Sequence, residues 1–391
     1  MTKSEAGNVN LANPFLVYTI LWMVIIFLIQ LKLNTLLSDL QTETYLLVLS
    51  NVLTFAIIYF PLSLYYQTDQ ATALEDNKHL LEKLLSLIFV LLVIWGAGTL
   101  LNILASGGVP IYWLLSGQLE KDYRHFGIPT FSGLLMALYM FSVTGLFLYY
   151  LLMRNSKILF LLLVLLAWNV VIMNRGAVTW ILLQMLGMYL LVKRMTIMNS
   201  IGLICSLILF VLLFGWIGDW RLGRSFSEEF SHLQAEPLFQ YVPSGFFWVY
   251  NYVTSGLNNI NASIVQLEPL YEPYFSIINI FPTILRDYLY EPGRYPLMLV
   301  SEAYNIATFY AGFLADFGIM GAIGAVALLQ LIVTWIYIIA RSGKPWAMIS
   351  YAVLFQALTL SIFADTFTSL VTIAQIGLSF FFMKLCGTAE S

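Results

Sequence analysis

Arginine is the side chain most able to do chemistry here, because a guanidinium presents five donors in a fixed fork that holds a phosphate or carboxylate at two oxygens. In Asp219-Trp220-Arg221-Leu222-Gly223-Arg224 two arginines stand three residues apart, a spacing that puts both on one helix face and suits a diphosphate. Arg175 occupies Asn174-Arg175-Gly176, a tight turn between two apolar runs, where a charge beside hydrocarbon is costly unless paired or wet. Arg286 follows, and then Arg294 in the turn Glu291-Pro292-Gly293-Arg294. The competing reading is salt bridges to Asp219, Glu228, Glu229, Asp287 and Glu291, or contacts with lipid headgroups.

Four residues compete for a proton-handling role beside such a cationic site: Asp219, His232, Glu272 and Asp316. His232 titrates nearest neutral pH. Asp316, in Ala315-Asp316-Phe317-Gly318, stands at the border of an apolar run, where a carboxylate needs an arginine or a substrate hydroxyl unless it caps the start of a helix. Motifs for nucleotides, serine nucleophiles and zinc are missing. The histidines His79, His125 and His232 are too dispersed to bind a metal, and Cys205 and Cys386 offer neither a disulfide framework nor redox chemistry. Neither cofactor nor metal is expected.

The elements that position these groups belong in lipid. Of 391 residues 60% are hydrophobic and 10% charged, whereas soluble domains carry roughly a quarter charged. Net charge is -3, with no basic run, which argues against nucleic acid. A bilayer core of about 30 Å asks for roughly 20 apolar residues per helix. Ten runs fit, at 14–32, 44–66, 82–104, 131–153, 157–173, 176–192, 197–217, 317–340, 346–365 and 368–385. The chain therefore reads as a single all-α integral membrane domain over 1–391, with its first span retained rather than cleaved as a signal peptide.

Basic residues in short connections place both termini in the cytoplasm. Seven of nine lysines fall on that side, while six of nine arginines fall outside. Lysine thus sets topology, and the outward arginines suggest a bound anion. Two outer segments are long, 105–130 and 218–300. The second, between spans 7 and 8, is rich in aromatics and is expected to pack on the membrane face as short amphipathic helices.

GGVPIYWLLSGQLEKDYRHFGIPTFSGLL, NRG, GDWR, YVTSGLNNIN and NIATFYAGFLADFGIMG occur in that order between about residues 90 and 330. Together they make the chain resemble bacterial oligosaccharide repeat-unit (O-antigen) polymerases of the Wzy type. The resemblance implies a GT-C-like glycosyltransferase of the inner membrane, working at the periplasmic face without metal. Donor and acceptor would be undecaprenyl-diphosphate-linked oligosaccharides, with a chain-length regulator protein as a further partner. It also implies that Arg175, Arg221, Arg224, Arg286 and Arg294 include a diphosphate clamp and that Tyr250, Tyr252 and Asn305 face the glycan.

Two rivals make different demands. An O-antigen ligase, which passes glycan to lipid A core, is associated with a histidine followed by a glycine about ten residues later in its late loop; here the first glycine after His232 is Gly245. A lipid-linked oligosaccharide flippase would place its site near the midplane, with broken helices in two related halves. No such halves are evident in the sequence.

Overall fold

The computed structural model describes residues 11–66, 78–118, 120–121, 123–193, 196–222, 241–289, 297–301 and 305–387. Among the described residues there are thirteen α-helices and no β-strand. The first seven are α1 (Pro14–Gln30), α2 (Thr42–Tyr65), α3 (Lys78–Ser106), α4 (Pro110–Leu115), α5 (Phe131–Met153), α6 (Ser156–Val171) and α7 (Arg175–Val192). Then come α8 (Ile197–Leu222), α9 (Ser244–Ser263), α10 (Thr283–Leu289), α11 (Tyr310–Arg341), α12 (Pro345–Leu360) and α13 (Leu370–Gly387). All but α4, α9 and α10 coincide with the apolar runs expected from sequence; those three lie in the two long connections.

Helix starts follow local chemistry. Asn13 accepts from Leu16 N ahead of Pro14, and Asn155 and Asn174 cap α6 and α7 by accepting from Lys157 N and Ala177 N. Among the described residues six helical stretches are long and apolar enough to cross a membrane: α2, the α3–α4 stretch Lys78–Leu115, α5, α7, α8 and α11. Four others, α1, α6, α12 and α13, are apolar but shorter.

The centre of the bundle is α12, buried along nearly its whole length and packed against α1, α5, α7, α11 and α13. Its sequence is apolar all round, as burial on every side requires. By contrast α8 is peripheral. Ile201, Ile204, Leu207, Leu209 and Leu213 are exposed, and its main packing partner is α9.

Two features depart from the sequence expectations. Where amphipathic helices are expected on the membrane face, α9 is a 20-residue helix wedged among α1, α2 and α8. The last long helix is broken: Gly318 adopts φ 65, ψ -172, a conformation essentially reserved for glycine. Ahead of it lies a half-helix that starts inside the bundle, where the Tyr310 ring is 4.8 Å from Trp22 in the middle of α1. The chain passes from exposed Asn305 to buried Tyr310, then turns back as this half-helix. Beyond Gly318 the helix runs alongside α2 in the same direction, pairing Gln330 with Asn51 and Tyr337 with Tyr59.

Candidate functional site at the loop-rich end

The 33–41 connection, the end of α8 and the start of α9 converge at one end of the bundle. The join between α8 and α9 depends on Gly215 and Gly245. A Cβ built on Gly215 would fall 2.3 Å from Gly245 Cα, and one on Gly245 would fall 2.2 Å from Val211 O. The backbones therefore touch, and Asp219, one turn beyond Gly215, is brought to the first turn of α9. Its Oδ1 accepts from Trp248 Nε1 at 2.9 Å and its Oδ2 from the Ser244 hydroxyl. A carboxylate at a helix start also complements the helix dipole. Asp219 is thus a clasp between two helices, and each oxygen keeps a further lone pair.

From Asp219 an aromatic row leads to Arg175. Trp248 stacks on Tyr252 at 6.0 Å, and Tyr252 meets Phe214 edge-on at 5.8 Å. The Arg175 guanidinium lies over Phe214, 5.9 Å from the ring centre. Arg175 is the first residue of α7, half-buried, and forms no ion pair among the described residues. A contact with a ring uses none of the hydrogen-bonding capacity of a guanidinium, so its N–H fork can still hold an anion. This constellation joins two sequence features, NRG and GDWR, with Phe214 and Trp248, which sequence reasoning did not single out. Phe214 sits in a uniform apolar run without a local signal; Trp248 shares the i, i+4 spacing with Ser244.

The site rests on a row of asparagines along α9. Asn251 meets Asn34; Asn258 accepts from Ser38 N and donates to Ser38 O; Asn261 accepts from Gln41 N and the Thr44 hydroxyl and donates to Asp39 O. Asn259 accepts from Val300 N and donates to Ile306 O. These amides are buried, and those of Asn258, Asn259 and Asn261 are paired at both their oxygen and their nitrogen, as burial requires. Tyr250 belongs to the same fastening. Its hydroxyl accepts from Leu33 N at 3.2 Å, and burial raises its pKa against that hydrogen bond. Of the residues expected to face a glycan, Tyr252 is in the aromatic row, Tyr250 is held inside and Asn305 is exposed elsewhere.

Asp316 is fully buried, and its carboxylate accepts from Tyr274, Phe275 and Ser276 N at 2.8–2.9 Å and from the Ser276 hydroxyl. It lies in the last turn before Gly318 rather than at a helix start, and it anchors the segment that carries α10. Arg286, half-buried on α10, follows that segment in the chain. Glu272 is exposed. Arg221 is in the last turn of α8, with its side chain outside the described residues; Arg224, His232 and Arg294 lie wholly outside them.

A carboxylate the sequence did not mark is Asp365, between α12 and α13. Burial raises its pKa, while hydrogen bonds from the Thr368 hydroxyl, Thr368 N and Phe367 N partly offset the shift. Among the described residues no group of three histidine, cysteine or acidic side chains is placed to hold a metal. No family model, curated protein or solved structure matches the chain.

Proposed function

We propose that the chain is a polyprenyl-diphosphate-dependent glycosyltransferase that joins lipid-linked oligosaccharide repeat units into a surface polysaccharide. The observation that carries the reading is Arg175 over the Phe214 ring, which leads on through Tyr252 and Trp248 to Asp219. A cationic fork for an anion and aromatic faces for sugar rings then share one end of a membrane-embedded bundle. The sequence resemblance to O-antigen polymerases supports it independently.

In this reading ten helices cross the bacterial inner membrane, both termini are cytoplasmic, and the loop-rich end faces the periplasm. An acceptor-sugar hydroxyl attacks the anomeric carbon of the donor; the new C–O bond forms as the bond to the diphosphate oxygen breaks, and the electron pair leaves with undecaprenyl diphosphate. The hydroxyl proton goes to a carboxylate or histidine of the outer segments. Arg175, with Arg221, Arg224, Arg286 or Arg294, neutralises the charge that develops on the leaving group.

The test is a deletion strain complemented with the chain. Core capped by a single repeat unit in the deletion, restored to a ladder by complementation, agrees with a polymerase; uncapped core in the deletion rejects it. Labelling of a cysteine placed at Tyr241 in intact spheroplasts checks orientation. The broken helix at Gly318 favours one second reading, a transporter of the same lipid-linked glycan, since discontinuous helices are common in such folds. Loss of lipid-linked glycan from the outer leaflet would select it.

A further inference from the structure

The half-helix that begins at Tyr310 opens onto a cluster of polar groups in the middle of the bundle. The Tyr310 hydroxyl is hydrogen-bonded to that of Tyr18, and the Gln330 amide lies beside Tyr18. Gln330 Nε2 donates to Asn51 O at 3.0 Å, and Asn51 Nδ2 turns away to Leu47 O. Every one of these side chains, together with Trp22, is at most 2% exposed.

Within this tightly enclosed cluster three polar atoms have no hydrogen-bond partner among the described residues: Asn51 Oδ1, Gln330 Oε1 and Trp22 Nε1. The Tyr18–Tyr310 pair adds a fourth requirement. One hydroxyl proton bridges the two oxygens, so the other needs an acceptor elsewhere. Buried polar atoms are almost always paired, and inside a membrane neither lipid nor bulk solvent can supply the partner.

We propose that this cluster binds water, held permanently in the centre of the bundle beneath the re-entrant segment 305–310. The chemistry selects a neutral ligand. Two open amide oxygens call for donors, the indole N–H calls for an acceptor, and water offers both. A metal ion would satisfy the oxygens but not the indole. It would also bring an uncompensated charge to a group of side chains that contains no carboxylate. The backbone agrees: non-helical chain at membrane depth is tolerated where protein buries it or where it borders water, and residues 305–309 are of this kind. The site makes no use of Arg175 or Asp219 and stands whether or not the glycosyltransferase reading holds.

Radiolytic hydroxyl-radical footprinting of the full chain in nanodiscs tests this, because radicals formed from bound water modify side chains that bulk radicals never reach. Tyr351 is the internal control. It is equally buried, and its hydroxyl is engaged by Ala12 O. Tyr310, Tyr18 and Trp22 are expected to oxidise several-fold faster than Tyr351. In the variant Asn51→Leu with Gln330→Met, which removes both open oxygens, Tyr310 should fall to the control rate. Oxidation of Tyr310 and Trp22 no faster than that of Tyr351 in the unmodified protein would overturn the proposal, whatever the variant does. So would fast oxidation of Tyr310 that survives in a folded double variant.

Discussion

Gly215 of α8 and Gly245 of α9 meet backbone against backbone, and that contact sets where Asp219 reaches Trp248 and Ser244. A methyl group at either glycine has no room, because its closest neighbours are main-chain atoms that cannot rotate away. Gly215→Ala should lower stability by about 1–3 kcal/mol. It should also part Trp248 from Asp219, read as a shift in tryptophan emission. An unchanged melting temperature with unchanged emission would remove the crossing from this account.

Arg175 combines an aromatic partner with a planar donor fork, so lysine cannot replace it. Arg175→Lys should leave membrane level and thermal midpoint close to wild type, since a lysine keeps the charge and a partly exposed cation–π contact is worth only about 1 kcal/mol. Polymer formation should drop roughly a hundredfold, the effect of losing one charged donor worth about 3 kcal/mol in the transition state. Full ladders from the lysine variant would return Arg175 to a headgroup contact.

Asp316 holds three consecutive backbone N–H groups, and its removal strands all of them. Asp316→Ala should therefore loosen Tyr274–Leu289 selectively, as each unpaired buried donor costs about 1–3 kcal/mol. Hydrogen exchange is the measurement. Faster exchange there, with α2 and α12 unchanged, is expected; uniform acceleration throughout the bundle would contradict a local anchor.

Burial lifts the Asp365 carboxyl above its ordinary value of 3.8, so the folded protein holds that proton more tightly than the unfolded chain does. The linked stabilisation is complete below the ordinary value and is lost as pH climbs through the raised one. Asn at this position keeps an acceptor for Phe367 and Thr368 N without the charge. Asp365→Asn should accordingly melt with wild type in acid and above it in mildly alkaline buffer. A variant that melts below wild type in alkaline buffer would reverse the assignment.

The helices were legible because an apolar run is a property of consecutive residues. The span expected at 131–153 is α5 to the residue, whereas that at 346–365 stops at Leu360, where the chain turns, Ser361 O accepts from Phe309 N and Asp365 accepts from Phe367 N and Thr368 N. The half-helix 310–317 escaped because it is short and its end is defined by one backbone conformation at Gly318. The burial of Asn258 and Asn261 depends on partners at Ser38 and Thr44, which no local pattern reveals. Arg175 was visible as a costly charge, but its place beside Phe214 is a fact of packing alone.

The asparagine row on α9 also imposes an order on assembly. The connection between α1 and α2 emerges early in synthesis, yet Ser38 N must wait for Asn258, 220 residues later, before it is paired. Until then the pair α1 and α2 stands with an unfinished edge. Such distant closures are slow, because the entropy of a long loop is spent before any bond returns it. A nascent chain arrested before Ser244 should leave residues 33–41 open to protease, and release past Ser263 should close them.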